Sequence, residues 1–345
     1  MVMLGITLGP EAEGAGGNVP FPKVYLHPMI CDAQGRKMSK SLGNVVDPVD
    51  VINGISLEGL HEKLSKGNLD KKEIEVAKEW QKKSFPNGIE ECGADALRFA
   101  LITYTHQAEN INLDINRVMG YRHWCNKLWN AVRFAMLKLG DGYVPPSSEI
   151  NPNELPFICQ WILSVLNKAI DRTVSSMESY KLCNQSCPYF AGNDPKFAAE
   201  REFAKHTLWL CLDTGLRLLH PFMPFITEEL WQRLHLASSS SSSLVAPSSI
   251  MICDYPCMIE CWKNEEVETQ MDNVIISVVN SIRSLAKEGR ERRAAFVLSG
   301  IREERELMYS QCAIIEKLAN VSPMKRVLLQ LDVHLYNSCC LQLWQ

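Results

Sequence analysis

The clearest candidates for chemistry in this sequence are two lysines that lie three residues apart. Lys37 and Lys40 occur in GRKMSKSLGN (residues 35–44), among glycines and small hydroxyl-bearing residues. Lysine ammonium groups act as point charges on phosphate oxygens. A flexible loop with two of them is suited to stabilising the charge that develops on a departing pyrophosphate. The alternative is an ordinary solvated surface loop. The spacing of a Walker A phosphate loop is absent.

A second group of candidates lies on one strongly periodic segment. Its pattern predicts a helix capped by Asp114 that runs to about Leu139, with Gly140 as its end. At about 100° per residue its apolar side chains form one stripe, made of Val118, Cys125, Trp129, Val132 and Met136. Its aromatic residues are expected to pack in the core, namely Trp124, Trp129 and Phe134.

The basic residues of this helix divide into two sets. Arg122 and Arg133 fall on the edge of the apolar stripe, whereas His123, Lys127 and Lys138 project near the opposite side. Such residues form either a solvated helix face or contacts with the phosphate backbone of RNA, which position the RNA without reading its sequence. Both interpretations stay open at this point.

Cysteine spacing raises the question of a metal. Cys253, Cys257 and Cys261 are four residues apart, but a structural zinc site normally has four ligands with a short chelating pair. Pro256 also interrupts any helix that would place the three on one face. No structural metal is predicted.

The lysine loop needs a supporting element on each side. Residues 23–32 are apolar and typical of a buried strand that leads into the loop. Residues 57–84 favour helices, with a break at Gly67-Asn68, and a further helix is predicted over 93–105, just after Gly93.

The later part of the chain has the pattern of a helical bundle. Helices are predicted over 157–180 and 197–219, and 220–234 gives a proline-interrupted segment followed by a short helix. The serine tract 238–243 reads as a linker. An amphipathic helix follows over 264–288, and two short strands, AAFVL and KRVLLQL, flank a helix at about 302–319. The tail NSCCLQLWQ has no assignable pattern.

Composition narrows the class of protein. The chain has 345 residues, of which 46% are hydrophobic, so it can bury a large core. Its net charge of −4 excludes bulk attraction to nucleic acid, so any such partner needs a local basic patch. Thirteen scattered cysteines without a CxxC pair indicate free thiols and a reducing cytosol. A cytoplasmic protein is expected, with an organellar form left open.

Several motifs together resemble one family. Lys37-Met38-Ser39-Lys40-Ser41 looks like the Lys-Met-Ser-Lys-Ser signature of class I aminoacyl-tRNA synthetases. GADALR (93–98), GISLEGLHEKL (54–64) and INLDINRVMGYRHWCNKLWNAVRF (111–134) are similar to valyl-tRNA synthetases of the eukaryotic type, and GLRLLHPFMPFITEELWQRL (215–234) resembles their anticodon-binding domain. The resemblance is close over about 19–235 and loose over 250–320.

The resemblance implies a fold and an activity. The fold would be mainly α: the C-terminal end of a class I Rossmann-like catalytic domain, an α-helical anticodon-binding bundle and a small α/β C-terminal segment. The activity would be ATP-dependent aminoacylation of valine tRNA. Lys37 and Lys40 would contact the ATP phosphates, and Met38, Ser39 and Ser41 would shape the mobile loop. The implied partners are ATP with Mg²⁺, valine and valine tRNA. Tentative tRNA contacts are Arg122, His123, Lys127, Arg133 and Lys138.

The same resemblance predicts five segments. They are residues 1–46 as the end of the catalytic domain, 47–110 as a stem-contact segment, 111–237 as the anticodon-binding domain, 238–263 as a serine-rich linker and 264–345 as a partial C-terminal domain.

The sequence also departs from the family pattern. It contains no His-x-Gly-His, the motif that binds ATP from the other side in this class. The family's valine pocket and editing domain precede the lysine loop, and within 179–195 a helix of the family pattern is missing. A partial chain, from a truncated or mis-spliced product, is therefore expected. The alternatives are a non-catalytic tRNA-binding fragment, an isoleucyl- or leucyl-type synthetase fragment and an unstable fragment without function.

Overall fold

The computed structural model describes Leu26 and residues 28–104, 110–140, 143–145, 151–179, 198–238, 248–285, 295–298, 301–321, 324–325 and 340–343. These residues form two compact units, one up to Lys127 and the other from Leu128 onward. None of the described helices has the length and apolar character needed to cross a membrane. The five predicted segments are finer than these two units, and their boundaries stay predictions.

The first unit is a small parallel sheet with helices around it. Its elements in chain order are β1 (Met29–Cys31), a 3₁₀ turn (Lys40–Leu42), α1 (Pro48–Asn53), α2 (Leu57–Ser65), α3 (Lys71–Ser84), α4 (Ala94–Tyr104), β2 (Asn110–Asn112) and the first half of α5 (Ile115–Leu139). Strands β1 and β2 are parallel, with Ile30 opposite Ile111. The predicted strand 23–32 is confirmed as a strand only over β1, because most of its first half lies outside the described residues. Its expected burial is wrong for Met29, which is exposed, and within β1 only Cys31 is buried.

Side-chain caps explain where these helices begin. The Asp47 carboxylate accepts the Val49 N–H at 2.9 Å at the start of α1, and Ser56 caps α2 through the Gly59 N–H. Asp70 and Glu73 form a reciprocal capping box on α3. The helix break predicted at Gly67-Asn68 is therefore confirmed, since it lies between the end of α2 and this cap.

Helix α5 begins and ends as predicted. The Asp114 carboxylate accepts the Asn116 N–H at 2.9 Å, and Gly140, at φ 83°, donates its N–H to the Met136 carbonyl. The predicted apolar stripe is buried or half-buried along its length. The prediction that Phe134 packs in the core is wrong, because its side chain is 54% exposed. It projects about 140° away from Trp129 around the helix, so it cannot share the buried face.

The second unit contains the helical bundle. After the end of α5 come a 3₁₀ turn (Pro152–Glu154), α6 (Phe157–Glu178), α7 (Ala198–Leu219) and α8 (Pro224–Ser238). The core where α5, α7 and α8 meet is made of Val132, Leu139, Tyr143, Leu216, Leu230, Trp231, Leu234 and Ile250. The buried indole of Trp231 donates to the Asp213 carboxylate at 2.9 Å, which also pairs with Arg217. The predicted bundle is confirmed. The segment 179–195, where a helix was expected to be missing, lies almost entirely outside the described residues.

More than half of the predicted linker packs on this bundle. Residues 239–247 lie outside the described part of the chain, but 248–263 are held by side-chain contacts. Tyr255 donates its hydroxyl to the Leu218 carbonyl at 3.0 Å, and the Asn167 amide exchanges two hydrogen bonds with the Ile259 backbone. Two short 3₁₀ turns, Ile250–Ile252 and Glu260–Trp262, lie in this stretch.

The C-terminal part adds helices and a three-stranded sheet. Its elements are α9 (Glu265–Gln270), a π-helical turn (Met271–Ile276), α10 (Ser277–Leu285), β3 (Ala295–Leu298), α11 (Arg302–Ser310), α12 (Cys312–Ala319), β4 (Met324–Lys325) and β5 (Cys340–Leu343). The sheet order is β4-β3-β5, with β3 parallel to β4 and antiparallel to β5. The single helix expected at 302–319 is two helices, and part of the tail left without assignment is β5.

Candidate functional site

The lysine loop follows directly from β1 at the carboxyl end of that strand. The chain turns back at once: the Gly35 N–H donates to the Asp32 carbonyl at 2.9 Å, and the Asp32 N–H donates to the Arg36 carbonyl at 2.9 Å. Cys31 and Lys37 then lie side by side in an antiparallel bridge. Parallel sheets bind ligands outside the carboxyl ends of their strands, so the position of the loop agrees with a binding role.

Asp32 is the buried anchor at the first end of the loop. Its side chain is only 2% exposed, and one carboxylate oxygen accepts the backbone N–H groups of Gln34 and Arg36 at 3.0 and 2.8 Å. The other oxygen accepts the Arg36 guanidinium at 2.8 Å and the Asn44 amide at 2.9 Å. Burial alone would raise the pKa of Asp32, but the bonds from Asn44 and Arg36 outweigh it and lower that pKa.

Asn44 is the matching anchor at the other end. It is fully buried, and its amide nitrogen donates to Asp32 and, at 3.3 Å, to the Lys37 carbonyl. Its amide oxygen accepts the Ser39 N–H at 2.8 Å. One side chain therefore holds both the middle of the loop and its first anchor. We call Asp32 and Asn44 the Asp–Asn clasp.

Gly43 allows the chain to return to the clasp. Its φ of 68° is left-handed, and its N–H donates to the Lys40 carbonyl at 3.0 Å, which closes the 3₁₀ turn. A Cβ atom at Gly43 would lie 2.5 Å from the Cβ atom of Ala77 on α3. The loop backbone is therefore in direct contact with α3 at a point where only glycine fits.

The two lysines lie on the outer side of this framework. Lys37 and Lys40 are both exposed, and among the described residues neither ammonium group makes an ion pair or hydrogen bond. Met38, Ser39 and Ser41 are half-buried, and the two serine hydroxyls lie 2.8 Å apart. The loop thus presents two cations from a backbone that is fixed from within, which suits contact with phosphate oxygens.

A groove of about 810 Å³ lies beside the loop within the first unit. Its wall includes Arg36, whose guanidinium lies 5.8 Å from the ring centre of Trp80. Lys83, Glu90 and Asp114 also line it, so its charges are mixed and favour no single class of ligand.

The basic residues predicted on α5 are placed as expected around the helix. Arg122 is half-buried, and it lies in the first unit with the exposed residues His123 and Lys127. Arg133 and Lys138 are exposed and belong to the second unit, where the Lys138 ammonium lies 5.0 Å from the ring centre of Phe134. The four exposed residues are open to a partner from solution, whereas the Arg122 guanidinium lies beside Gly93, 3.5 Å from where a Cβ atom of that residue would stand.

The described cysteines are free thiols. Cys257 and Cys261 are exposed and Cys253 is half-buried. Within the described residues, no three His, Cys, Asp or Glu side chains come together as a cation site.

Two family models match this chain. Residues 1–114 match the model for class I tRNA synthetases of the I, L, M and V types, and residues 159–295 match the anticodon-binding domain of tRNA ligases. The first match contains the lysine loop and the clasp, and the second contains the bundle helices from α6 onward.

Curated relatives give the same family. The chain is 55% identical over 350 residues to "Valine--tRNA ligase, mitochondrial 1" of Arabidopsis thaliana, a match that covers 95% of this chain and 30% of the relative. This chain belongs to the valine–tRNA ligase family. It is also 46% identical over 325 residues to the Homo sapiens "Valine--tRNA ligase", covering 88% of this chain and 24% of that protein. The chain thus spans under a third of the length of these family members.

A solved structure gives a weaker likeness. The LeuRS-tRNA-LeuAMS ternary complex from Agrobacterium radiobacter K84 aligns with a TM-score of 0.47 at 21% identity, over 76% of this chain and 27% of that one. That likeness is too low to bear on the site.

Sequence reasoning found the lysines of this family's loop but missed the clasp that holds them. Asp32 and Asn44 are twelve residues apart and belong to no periodic pattern. The signal that could have found them is that both are short polar residues at a turn. Asp32 lies shortly before Gly35, Asn44 directly follows Gly43, and both adjoin apolar segments.

Proposed function

We propose that this chain carries the phosphate-contacting loop and the anticodon-binding bundle of a valine–tRNA ligase. The reaction of that family begins when a valine carboxylate oxygen attacks the α-phosphorus of ATP and pyrophosphate leaves. The 3′-terminal ribose hydroxyl of tRNA then takes the acyl group from the adenylate and AMP is released. Lys37 and Lys40 would stabilise the negative charge that develops on pyrophosphate in the first step.

The observation that carries this proposal is the exposed lysine pair on a loop fixed from within. Both cations face outward beyond a backbone held by Asp32 and Asn44. Fixing the backbone that carries a donor before the reaction reduces the reorganisation that is needed during it.

Mg²⁺ enters this proposal only with ATP. Hard divalent cations take oxygen ligands, and the carboxylate beneath the loop, Asp32, has both oxygens engaged by Arg36, Gln34 and Asn44. The loop therefore offers cations and not metal ligands. Mg²⁺ bound to ATP would be held by the phosphates and would screen part of their charge.

The phosphate role is tested by the double variant Lys37→Ala/Lys40→Ala. Binding of ATP to the purified chain, measured by calorimetry at low ionic strength, should be lost in this variant. Lys66→Ala, which removes an exposed lysine of the same unit, is the matched control and should bind as the unmodified chain does. Equal ATP binding by the double variant and the control would contradict the proposal.

We expect no valine-dependent ATP–pyrophosphate exchange from this chain by itself. Its sequence has no His-x-Gly-His, and the family resemblance assigns the valine pocket to sequence before the loop. Measurable exchange by the purified chain would overturn this expectation while leaving the phosphate role of the lysines intact.

A second candidate function is tRNA binding without catalysis. It is favoured by the match of residues 159–295 to the anticodon-binding domain of tRNA ligases. We propose that exposed cations of α5, including Lys127 and Arg133, contact the tRNA backbone. Affinity for valine tRNA should then fall with salt, and Lys127→Ala should lower the slope of log K against log salt by about 0.7 to 0.9.

The control for this test is a valine tRNA whose anticodon has been replaced. Valine tRNA and the same tRNA with its anticodon replaced are compared with the chain across one salt series. Anticodon-dependent binding would support recognition by the bundle. Weak binding that is equal for both and lost in salt would contradict it and favour a fragment that keeps the family motifs without recognition.

The location of the chain is proposed as cytoplasmic, with an organelle as the alternative. Free thiols agree with a reducing compartment, and the Arabidopsis relative carries a mitochondrial name. Fractionation of cells that express the tagged chain separates the two outcomes.

A further inference from the structure

We propose that Asp32 and Asn44 are positioning residues that aim Lys37 and Lys40 at the phosphates before ATP binds. This inference rests on the proposed phosphate role of the lysines and deepens it. It assigns a task to two buried side chains that lie outside the five-residue signature Lys37–Ser41.

The hydrogen bonds of Asn44 reach the loop at two points between the lysines. The Asn44 amide nitrogen donates to the Lys37 carbonyl at 3.3 Å, and its oxygen accepts the Ser39 N–H at 2.8 Å. Only Met38 lies between these points, and Lys40 comes directly after the second. The backbone positions from which both ammonium groups extend are therefore fixed by one side chain.

Asp32 fixes Asn44 in turn. The Asp32 carboxylate accepts the Asn44 amide at 2.9 Å, and this contact sets which amide atom faces the Lys37 carbonyl and which faces Ser39. The Arg36 guanidinium and two backbone N–H groups occupy the rest of the carboxylate. With Asp32 2% exposed and Asn44 fully buried, water does not compete for these bonds.

The physical benefit is pre-organisation. Lysine has a long flexible side chain, and ordering both its backbone and its rotamers on binding reduces affinity. A clasp formed in the ligand-free protein removes the backbone part of that cost. The side chains remain free to follow the phosphates, which suits a group that must stay in contact as pyrophosphate departs.

A clasp that merely stabilises the fold is the rival explanation. It predicts that Asn44→Ala lowers the melting temperature without changing phosphate affinity in the fraction that is folded. The positioning role predicts a loss of affinity at temperatures where the variant is fully folded. The two are separated by a binding measurement made well below the melting transition.

The experiment uses inorganic tripolyphosphate as the probe and calorimetry of the purified chain at low ionic strength. Asn44→Ala and Asn44→Ser are compared with Lys37→Ala/Lys40→Ala as the reference for a lost clamp. Asn68→Ala, an exposed asparagine in the same unit, is the matched control. We expect the Asn44 variants to bind about tenfold more weakly, the change expected for one hydrogen bond to the loop backbone, and the Asn68 variant to bind normally.

The possible results are distinct. If the Asn44 variants bind as the unmodified chain does while the double lysine variant does not, the positioning role is wrong and the phosphate role stands. If the double lysine variant binds as well as the unmodified chain, or neither binds, the phosphate role fails and the positioning role falls with it.

A measurement on the unmodified chain covers the case in which the Asn44 variants do not fold. Amide hydrogen exchange at Ser39 reports its bond to Asn44 directly. Strong protection of this amide without tripolyphosphate is the expected result. Exchange at the rate of an open loop, with protection only after the probe is added, would overturn the claim that the clasp is formed in advance.

Discussion

Replacing Gly43 by alanine should destabilise the first unit by about 2 to 5 kcal/mol. Two costs add. An L-residue held at the left-handed φ of 68° costs about 1–2 kcal/mol. The new methyl would also lie 2.5 Å from the Ala77 Cβ atom and 2.7 Å from its Cα atom, and such overpacking costs about 1–3 kcal/mol.

A second substitution separates these two costs. Ala77→Gly removes the Cβ atom that the new methyl meets, but it places a glycine inside α3 at a cost of about 1 kcal/mol. The double variant keeps the left-handed strain and the close Cα atom. It should therefore be less destabilised than the sum of the single variants by about 1 kcal/mol, an interaction energy of the size found for residues in contact.

The assay must report on the first unit by itself, because the chain contains two compact units and a single transition is not guaranteed. Hydrogen exchange of peptides from 32–44 and 71–84, with urea as the perturbant, gives the free energy of opening there. Gly67→Ala is the control, since its Cβ atom would lie 3.4 Å from the nearest atom, the Leu64 carbonyl oxygen. A Gly43 variant as stable as this control would refute the contact with α3.

Three further predictions follow from the same features. The folded-state pKa of Asp32 lies below its ordinary value of 3.8. The clasp therefore contributes stability above about pH 4, and this stability is lost as the pH falls through the lowered pKa. Asp32→Asn should abolish this pH dependence, which is measured by hydrogen exchange of the loop amides. Gly120→Ala should stabilise α5 by about 1 kcal/mol, measured by urea unfolding, because its Cβ atom would have open space. In peptide-resolved thiol labelling at pH 8, the exposed Cys257 should react quickly, whereas Cys125 should react only after unfolding, since burial raises its pKa to about 11.

The helices of this chain could be predicted well from local signals. Asp114 and Gly140 mark the two ends of α5, and the apolar stripe between them identifies its buried face. These signals act within one or two turns, so a sequence shows them directly. The rotation of about 100° per residue also explains Phe134. Its aromatic side chain favoured a place in the core, but its angle around the helix puts it on the exposed side.

Long-range contacts were the part that local signals could not give. The clasp joins residues twelve apart, and β5 pairs with β3 across more than forty residues. A four-residue strand carries little periodic information, and its partner is chosen by packing of the whole C-terminal part. The lysines of the loop could be identified from the sequence, but the side chains that hold them required the fold.

The parallel pairing of β1 with β2 bears on how this protein can be taken apart. Ile30 and Ile111 are neighbours across the sheet, so the chain leaves β1 at its carboxyl end and re-enters at the amino end of β2. A strand spacing of about 4.8 Å and two residues of rise at about 3.3 Å each put Cys31 and Asn110 about 8 Å apart. The segment between the strands is therefore a crossover whose two ends are close together but lie at opposite ends of the strand pair. We expect α1 to α4 to be exchangeable between relatives as one piece only where the replacement makes the same crossing between parallel strands.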